Sequence, residues 1–320
     1  MAKRKPFSGL DCSASAEQMI RLVLSAQVKS MCKLRDKALD WNDPEGVHDM
    51  RVRSRRLRSA ISDFKPFLRR SKLPRADLRT IADALGAVRD EDVAIAALDE
   101  LQSKAKGRAV DGIKRLADEH HTRRKNVRAK LKTALRPAAI RGFQTEFDSK
   151  IRAVTANRVK KSRAKTVEDP MSFRTLGRAV ILARIRELHE SIHHLYFPFQ
   201  IKELHALRIL AKRLRYAVEL FTDCWEGRLQ DAGKEIALLQ TSLGELHDCD
   251  VWLDTLGKRL RQTARKHKDD EATVTLRGGA VGLVRHFAKE RTEHYRSALT
   301  RWEEWDSRDF LARLESSLVD

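Results

Sequence analysis

Two stretches of the sequence combine a histidine with closely spaced arginine and lysine residues. The first, VHDMRVRSRRLRSAISDF, spans residues 47–64 and carries five arginines within eight residues. The second, LHALRILAKRLRYAVELF, spans residues 204–221. Guanidinium groups bind phosphate and carboxylate oxygens through paired hydrogen bonds, and histidine adds a further polar contact. The chemistry that these residues suit is the binding of a polyanion.

Both stretches have the periodicity of a helix with two neighbouring stripes. At 100° per residue from Val47, the core stripe falls between about 260° and 320°, and it consists of Met50, Leu57, Ile61 and Phe64. A basic stripe falls between about 20° and 100°, and it consists of His48, Arg51, Arg55 and Arg58. The second stretch repeats the basic stripe with His205, Arg208, Lys212 and Arg215. Arg56 and Arg213 lie near 180°, where they are either solvated or reach round to the same ligand. A basic stripe beside a core stripe indicates the edge of a groove, although a solvated basic surface remains the alternative.

The two stretches belong to an internal repeat. A shift of 157 residues superimposes the histidine stretches, and it also aligns Arg21 with Arg178 and Lys29 with Arg186. A shift of 158 aligns LGAVRDEDV at 85–93 with LGELHDCDV at 243–251. Self-similarity at this separation predicts two halves of about four helices each.

Each LGxxxDxDV segment places one aspartate within an apolar stripe. Asp92 and Asp250 are these residues, and a buried carboxylate needs a cationic partner. We expect both to hold arginines of the preceding helix in fixed rotamers, behind the binding surface. Asp90 and Asp248 lie about 160° away on a regular helix, which makes a DxD metal site the weaker interpretation. We predict no metal and no cofactor.

The composition limits the class of protein and its partners. The chain has 65 Lys and Arg against 45 Asp and Glu, which gives a net charge of +20. Such an excess predicts an acidic partner, either nucleic acid, an anionic membrane or another polyanion. The N-terminus lacks the apolar run of a signal peptide, and no apolar stretch is long enough to span a membrane. Four cysteines without metal-ligand spacing are expected to be reduced thiols, so we predict a cytoplasmic protein. The sequence does not set the oligomeric state.

Glycine and proline are sparse, period-2 runs are absent, and long segments keep a helical period, so the predicted fold class is all-α. We expect two four-helix-bundle-like repeats related by pseudo-twofold symmetry. The predicted division is a first half at 1–140, a basic linker at 141–170 and a second half at 171–320. Asp43 and Pro44 are predicted to start the helix of the first basic stripe.

The duplicated His-x-x-Arg-x-x-x-basic-Arg-Leu-Arg pattern, each followed by its LGxxxDxDV segment, resembles the CHAD family, the conserved histidine α-helical domain. The resemblance runs from about residue 15 to 310. It implies a basic surface or channel that binds inorganic polyphosphate, and it implies association with polyphosphate granules. Carried over by motif, the binding residues are His48, Arg51, Arg55, Arg56 and Arg58 with His205, Arg208, Lys212, Arg213 and Arg215. The repeat alignment adds Arg21, Lys29, Arg178 and Arg186. The chain has no ExExK motif, so we expect a stand-alone domain without the triphosphate-tunnel module of some relatives.

Two other functions remain open at this stage. A nucleic-acid-binding protein would show the same charge, but single-strand binders usually add aromatic platforms, and Phe, Trp and Tyr make up only 6% of the chain. A polyphosphate hydrolase would need metal ligands or a phosphate-binding loop, and no GxxxxGK[ST] occurs. We therefore predict a binding protein that is not an enzyme.

Overall fold

The computed structural model describes residues 7–68, 71–105, 108–162, 171–265 and 271–319. Within these ranges the chain is helical, and the only extended pairing is a single bridge between Ser15 and Ser172. The helices before residue 163 are α1 (Ala16–Cys32), α2 (Arg35–Leu39), α3 (Pro44–Asp63), α4 (Arg75–Lys104), α5 (Arg108–Ala134) and α6 (Pro137–Ser162). The later ones are α7 (Phe173–Ser191), α8 (Ile201–Phe221), α9 (Gln230–Arg265), α10 (Glu271–Ser307) and α11 (Phe310–Ser316), with short 3-10 helices at Ile192–Tyr196 and Thr222–Trp225. The predicted all-α class is confirmed.

The helix that carries the first basic stripe begins where the sequence indicates. The side chain of Asp43 accepts a hydrogen bond of 2.9 Å from the backbone N–H of Glu45, and α3 begins at Pro44. A carboxylate at this position satisfies one of the free N–H groups of the first turn, and proline needs none. The cap therefore fixes the start, and with it the phase, of the histidine and arginine positions that follow.

The stretch predicted as a basic linker is largely helical. Helix α6 covers residues 137–162, and residues 163–170 lie outside the described part of the chain. Phe143, Phe147 and Ile151 of α6 are buried in the main core, and α6 packs against α1. Because these apolar residues recur at helical spacing and find a partner helix, the part of α6 from Phe143 to Ile151 is packed into the core, within the stretch predicted as a basic linker.

One hydrophobic core includes residues of both predicted halves. Helices α1 and α7, which occupy equivalent places in the repeat, contact each other, and so do α3 and α8. At the ends of the latter pair, the buried rings of Phe64 and Phe221 meet edge to face with centroids 6.1 Å apart. Phe173 lies 4.9 Å from Phe221 and completes the aromatic group. A second, smaller core joins α4 and α5 to α9 and α10.

The short segments in front of α1 and α7 pair with each other. The backbone N–H of Ala16 donates to the carbonyl of Met171 at 2.9 Å, and that of Phe173 donates to the carbonyl of Ala14 at 2.9 Å. Ser15 and Ser172, which the repeat aligns at a shift of 157, face each other in this bridge and cap α1 and α7 respectively. Equivalent capping segments therefore precede α1 and α7, and the two segments pair with each other.

The expectation of four reduced thiols is wrong for two of them. Cys12 and Cys224 form a disulfide with Cα atoms 5.3 Å apart, whereas Cys32 and Cys249 are free and buried. The pattern was misread because a spacing of 212 residues carries no local signal. Disulfides persist mainly in oxidising compartments, so this bond weighs against the cytoplasmic location, which stays a prediction. Among the described helices, none is long and apolar enough to cross a membrane.

Candidate functional site

Helices α3 and α8 bring the two basic stripes together. We call Arg51 and Arg55 of α3 with Arg208 and Lys212 of α8 the central cationic cluster. The pKa of Lys212 is lowered to about 7, first by burial and then by the positive charges of the three arginines. Burial, followed by the charge of Arg55, also lowers the pKa of the Arg51 guanidinium. Two cations from each half therefore lie close enough to repel one another.

The cluster holds hydrogen-bond donors that the protein does not use. The Nε atoms of Arg55 and Arg208 are buried and have no hydrogen-bond partner. Buried polar atoms are nearly always paired in folded proteins, and an unpaired donor is costly. Together with the mutual repulsion of the cations, these donors indicate a surface prepared for an anion.

The LGxxxDxDV segments of α4 and α9 form the floor beneath the arginines. A Cβ atom added to Gly86 would lie 3.9 Å from Nε of Arg51, and one added to Gly244 would lie 3.7 Å from Nε of Arg208. Each guanidinium therefore lies directly over a helix where no side chain intervenes. The equivalence of the two contacts follows the repeat, and both distances are ordinary van der Waals contacts that a Cβ atom could also make.

Two carboxylates that the sequence analysis set aside lie at the cluster. Nη2 of Arg51 is 3.4 Å from Oδ1 of Asp90, and Asp248 interacts electrostatically with Arg208 and with Asp90. The pKa of each carboxyl is raised, because burial outweighs the attraction of the nearby arginines. The sequence signal for carboxylates at the cluster is the first aspartate of each DxD segment. Helical periodicity placed this aspartate on a face away from the core, and the cluster lies on that face.

Asp92 and Asp250 each pair with arginines, but not with those of the basic stripe for which they were predicted. Asp250 accepts a 2.6 Å hydrogen bond from Nε of Arg291 in α10, and Nη2 of Arg291 also donates to the carbonyl of Pro198 at 2.6 Å. Asp92 lies 3.3 Å from Nη1 of Arg124 in α5 and 3.8 Å from Nη2 of Arg128. Both carboxylates hold arginines, but on the helix that follows in the chain rather than on the basic stripe that precedes it. Helical phase shows that a residue faces inward and does not show which neighbour it meets.

The motif histidines border the cluster, and the pKa of each is lowered. Burial and then the charge of Arg89 lower the pKa of His48, and burial and then Arg208 lower that of His205. Nδ1 of His205 is 3.1 Å from Nδ1 of His247, so one ring donates and the other accepts. The pKa of His247 falls to about 4 for the same reasons, with burial first. Arg89 and His247, which are equivalent in the repeat, are further site residues that the sequence analysis did not name.

Arg56 and Arg215 engage the protein itself. Nη2 of Arg56 donates to Oε2 of Glu219 at 2.9 Å, and Nε of Arg215 donates to Oε1 of the same carboxylate at 2.7 Å. Nη1 of Arg215 also donates to Gln240 at 2.8 Å. One arginine from each half thus shares a single glutamate, which ties α3 to α8. Arg58 and Arg213 are exposed on the same helices.

The four candidates from the repeat alignment lie on α1 and α7 instead of on the two basic helices. Arg21 lines a shallow cavity with Asp148 and Arg152 of α6, and Arg186 lines one with aromatic residues of α10 and α11. Lys29 and Arg178 are exposed. These four residues do not add to the contacts that define the central cationic cluster.

The described residues contain no group of three or more histidine, cysteine, aspartate and glutamate side chains that could hold a metal ion. The two aspartates of each DxD segment face different neighbours: Asp90 and Asp248 face the cluster, whereas Asp92 and Asp250 face α5 and α10. Each segment therefore makes charge interactions on two sides, one towards the cluster and one towards α5 or α10.

Fold and site define an all-helical protein in which two histidine- and arginine-rich helices meet in one cationic cluster. The chain belongs to the CHAD domain family, whose sequence model matches residues 22–257. The crystal structure of the CHAD domain from the plant Ricinus communis is similar over 92% of this chain and 96% of that chain, with a TM-score of 0.67 and 21% identity. PptA from Streptomyces chartreusis is similar over 91% of this chain and 100% of that chain, with a TM-score of 0.61 and 13% identity. At these identities the likeness concerns the fold.

Two curated relatives come from Mycobacterium tuberculosis. Uncharacterized protein Rv2226 of strain ATCC 25618 / H37Rv is 25% identical over 246 residues, which are 72% of this chain and 43% of that protein. Uncharacterized protein MT2285 of strain CDC 1551 / Oshkosh matches to the same extent. The chain therefore spans less than half of the length of these relatives.

Proposed function

We propose that this protein binds inorganic polyphosphate along the surface formed by α3 and α8. The observation that carries the proposal is the central cationic cluster, in which two cations from each half converge over helices α4 and α9. Membership of the CHAD domain family supports the same ligand. In this proposal the protein acts as a binding protein without catalysis of its own, at polyphosphate granules.

Polyphosphate matches the chemistry of the cluster. It offers a flexible row of closely spaced negative charges and only phosphate oxygens to recognise, and arginine forks bind such oxygens in pairs. Each bound phosphate would also relieve the repulsion that lowers the pKa of Lys212. A chain with many phosphates can engage both halves at once, which raises its apparent affinity through linked contacts.

We further propose that the two halves are related by a pseudo-twofold axis. Three equivalent pairs support this arrangement: Ser15 faces Ser172, Phe64 contacts Phe221, and the Arg51–Gly86 approach is repeated by Arg208 and Gly244. Contacts between equivalent residues are the mark of a twofold relation. Under such symmetry the two basic stripes face one ligand.

Titration calorimetry with a polyphosphate of defined length tests the proposal. Arg51→Gln with Arg55→Gln removes two cations of the first half, and Arg208→Gln with Lys212→Gln removes two of the second. We expect both double variants to weaken binding to a similar extent, by about tenfold or more at physiological salt. A matched control is Lys258→Gln with Lys289→Gln, because both lysines are well exposed, at 63% and 77%. The control changes net charge equally and should bind nearly as the parent does.

The stoichiometry decides whether one surface is shared. The parent should bind one long chain across the cluster, and either double variant should lower the affinity of that single event. Two independent sites, of which each variant abolishes one, would refute the shared surface. Single-stranded DNA added as competitor separates polyphosphate binding from general polyanion binding, since DNA that displaces polyphosphate at equal phosphate concentration would favour a nucleic-acid ligand.

A further inference from the structure

The central cationic cluster contains its own anions. Asp90 and Asp248 occupy equivalent positions of the two LGxxxDxDV segments, and each interacts with arginines of the cluster and with the other aspartate. The repeat has thus placed one carboxylate from each half among the cations. A carboxylate at an anion-binding surface repels the ligand, so the presence of one at both equivalent positions needs an explanation.

These carboxylates do not serve as rigid anchors for the arginines. The contact between Arg51 and Asp90 is a single hydrogen bond of 3.4 Å, and the Asp90 side chain is 72% exposed. Asp250 provides the contrast, because it is 5% exposed and meets Arg291 at 2.6 Å. A long bond from an exposed carboxylate holds a guanidinium weakly, whereas a short buried one fixes it.

Nor do they stabilise the fold. Both side chains are exposed, so neither carboxylate adds a buried ion pair to the fold. An uncharged isostere at either position should therefore leave the stability nearly unchanged. An effect on the ligand therefore explains their placement better than an effect on folding does.

We propose that Asp90 and Asp248 are built-in counter-anions that limit the affinity of the cluster for polyphosphate. The inference rests on the proposed function and assigns a role that the basic residues do not have. In the free protein the two carboxylates offset part of the positive charge, and bound polyphosphate must overcome their repulsion. The site consequently binds its polyanion less tightly than its cations alone would allow, and it releases the polyanion more readily.

The groups around the two carboxylates set the pH range of the effect. Those facing Asp90 are Arg51 and Arg55 of α3, Arg89 and Glu91 of its own helix, and Asp248; those facing Asp248 are Arg208 and Lys212 of α8, Arg51 and Asp90. The surrounding arginines keep their charge at all relevant pH values. A nearby polyphosphate raises the pKa of both carboxyls further, so lowering the pH should protonate them and remove their repulsion.

The test compares the parent with Asp90→Asn, Asp248→Asn and the double variant. At pH 7.5 we expect each single change to tighten polyphosphate binding about threefold and the double change about tenfold, measured by titration calorimetry. The advantage of the double variant should shrink as the pH is lowered, because protonation brings the parent towards the same uncharged state. Melting temperatures of the ligand-free variants should equal or exceed that of the parent. Asp254→Asn is the control, since its exposed carboxylate pairs with Lys258 away from the cluster.

The outcomes separate this inference from the proposed function. A parent that does not bind polyphosphate would remove the proposed function and this inference with it. A parent that binds, with asparagine variants that bind equally or more weakly, would overturn the counter-anion role and leave the function intact. Weaker binding together with lower melting temperatures would show that the aspartates position the arginines instead.

Discussion

The single difference between the two halves within the central cationic cluster is a lysine. Lys212 stands where the first half has Arg55, and its pKa is lowered to about 7 by burial and the neighbouring arginines. Arginine keeps its charge at every relevant pH, whereas this lysine titrates near neutrality. The bound polyanion should restore its proton. We therefore expect polyphosphate affinity to fall between pH 7 and 8.5, and we expect Lys212→Arg to flatten that dependence, as measured by calorimetry.

The stability of the free protein should change in the opposite direction. A lysine whose pKa is lower in the folded state carries fewer protons there than in the unfolded chain, so its contribution to stability rises as the pH increases from 7 towards 10. Arg55→Lys serves as the matched control and should add a second titrating group. A parent whose polyphosphate affinity does not change over this range would show that Lys212 keeps an ordinary pKa.

Asp250 should matter for stability and little for binding. Its buried ion pair with Arg291 fixes the loop at Pro198, so Asp250→Asn leaves a charged arginine without its carboxylate. We expect a loss of about 2–4 kcal/mol in the free energy of unfolding, with nearly parental polyphosphate affinity. Chemical denaturation measures the first and calorimetry the second. Asp254→Asn, in an exposed pair, should cost at most about 0.5 kcal/mol. A parental denaturation curve for Asp250→Asn would mean that this carboxylate is solvated.

At the scale of elements, a substitution in α6 can distinguish a packed helix from a solvated linker. Phe147 is 1% exposed in the main core. Phe147→Ala should therefore lower the free energy of unfolding by about 3–5 kcal/mol, whereas the same change in a solvated linker would cost almost nothing. Phe199→Ala is the matched control, because that ring is 88% exposed. Equal denaturation curves for the two variants would contradict the packing of α6.

The helices and their buried faces could be predicted from the sequence better than the contacts between helices. The phase of α3 and α8 could be predicted because Val47, Met50 and Leu57 keep one face apolar, and all three are buried. Helix α6 was missed since its apolar residues are few and its second half is basic. The partners of Asp92 and Asp250 could not be predicted, because periodicity gives the face of a residue and not the helix packed on it. The cluster itself was only half predictable. The stripes were visible, but the carboxylates at its floor depended on where α4 and α9 lie.

For the whole molecule, the charge distribution predicts a strong dependence on salt. Neutralising four phosphates by the central cationic cluster would release condensed counterions. With the coefficient for single strands, affinity should fall on the order of 50-fold between 50 and 200 mM salt. Filter binding at graded salt measures the slope, and loss of Arg208 and Lys212 should reduce it by about half. An affinity that stays constant over this range would rule out a surface with several phosphate contacts.

The two halves are joined covalently twice, once by the backbone and once by the Cys12–Cys224 disulfide. The cysteines belong to different halves, and they are separated by 212 positions in the chain. A protease site inserted between α6 and α7 would therefore allow the backbone to be cut without releasing either piece. Denaturing electrophoresis should show one species without reductant and two with it. Continuity of the backbone between the halves would then be dispensable once the bond has formed, and a nicked molecule should keep both basic helices on the same surface.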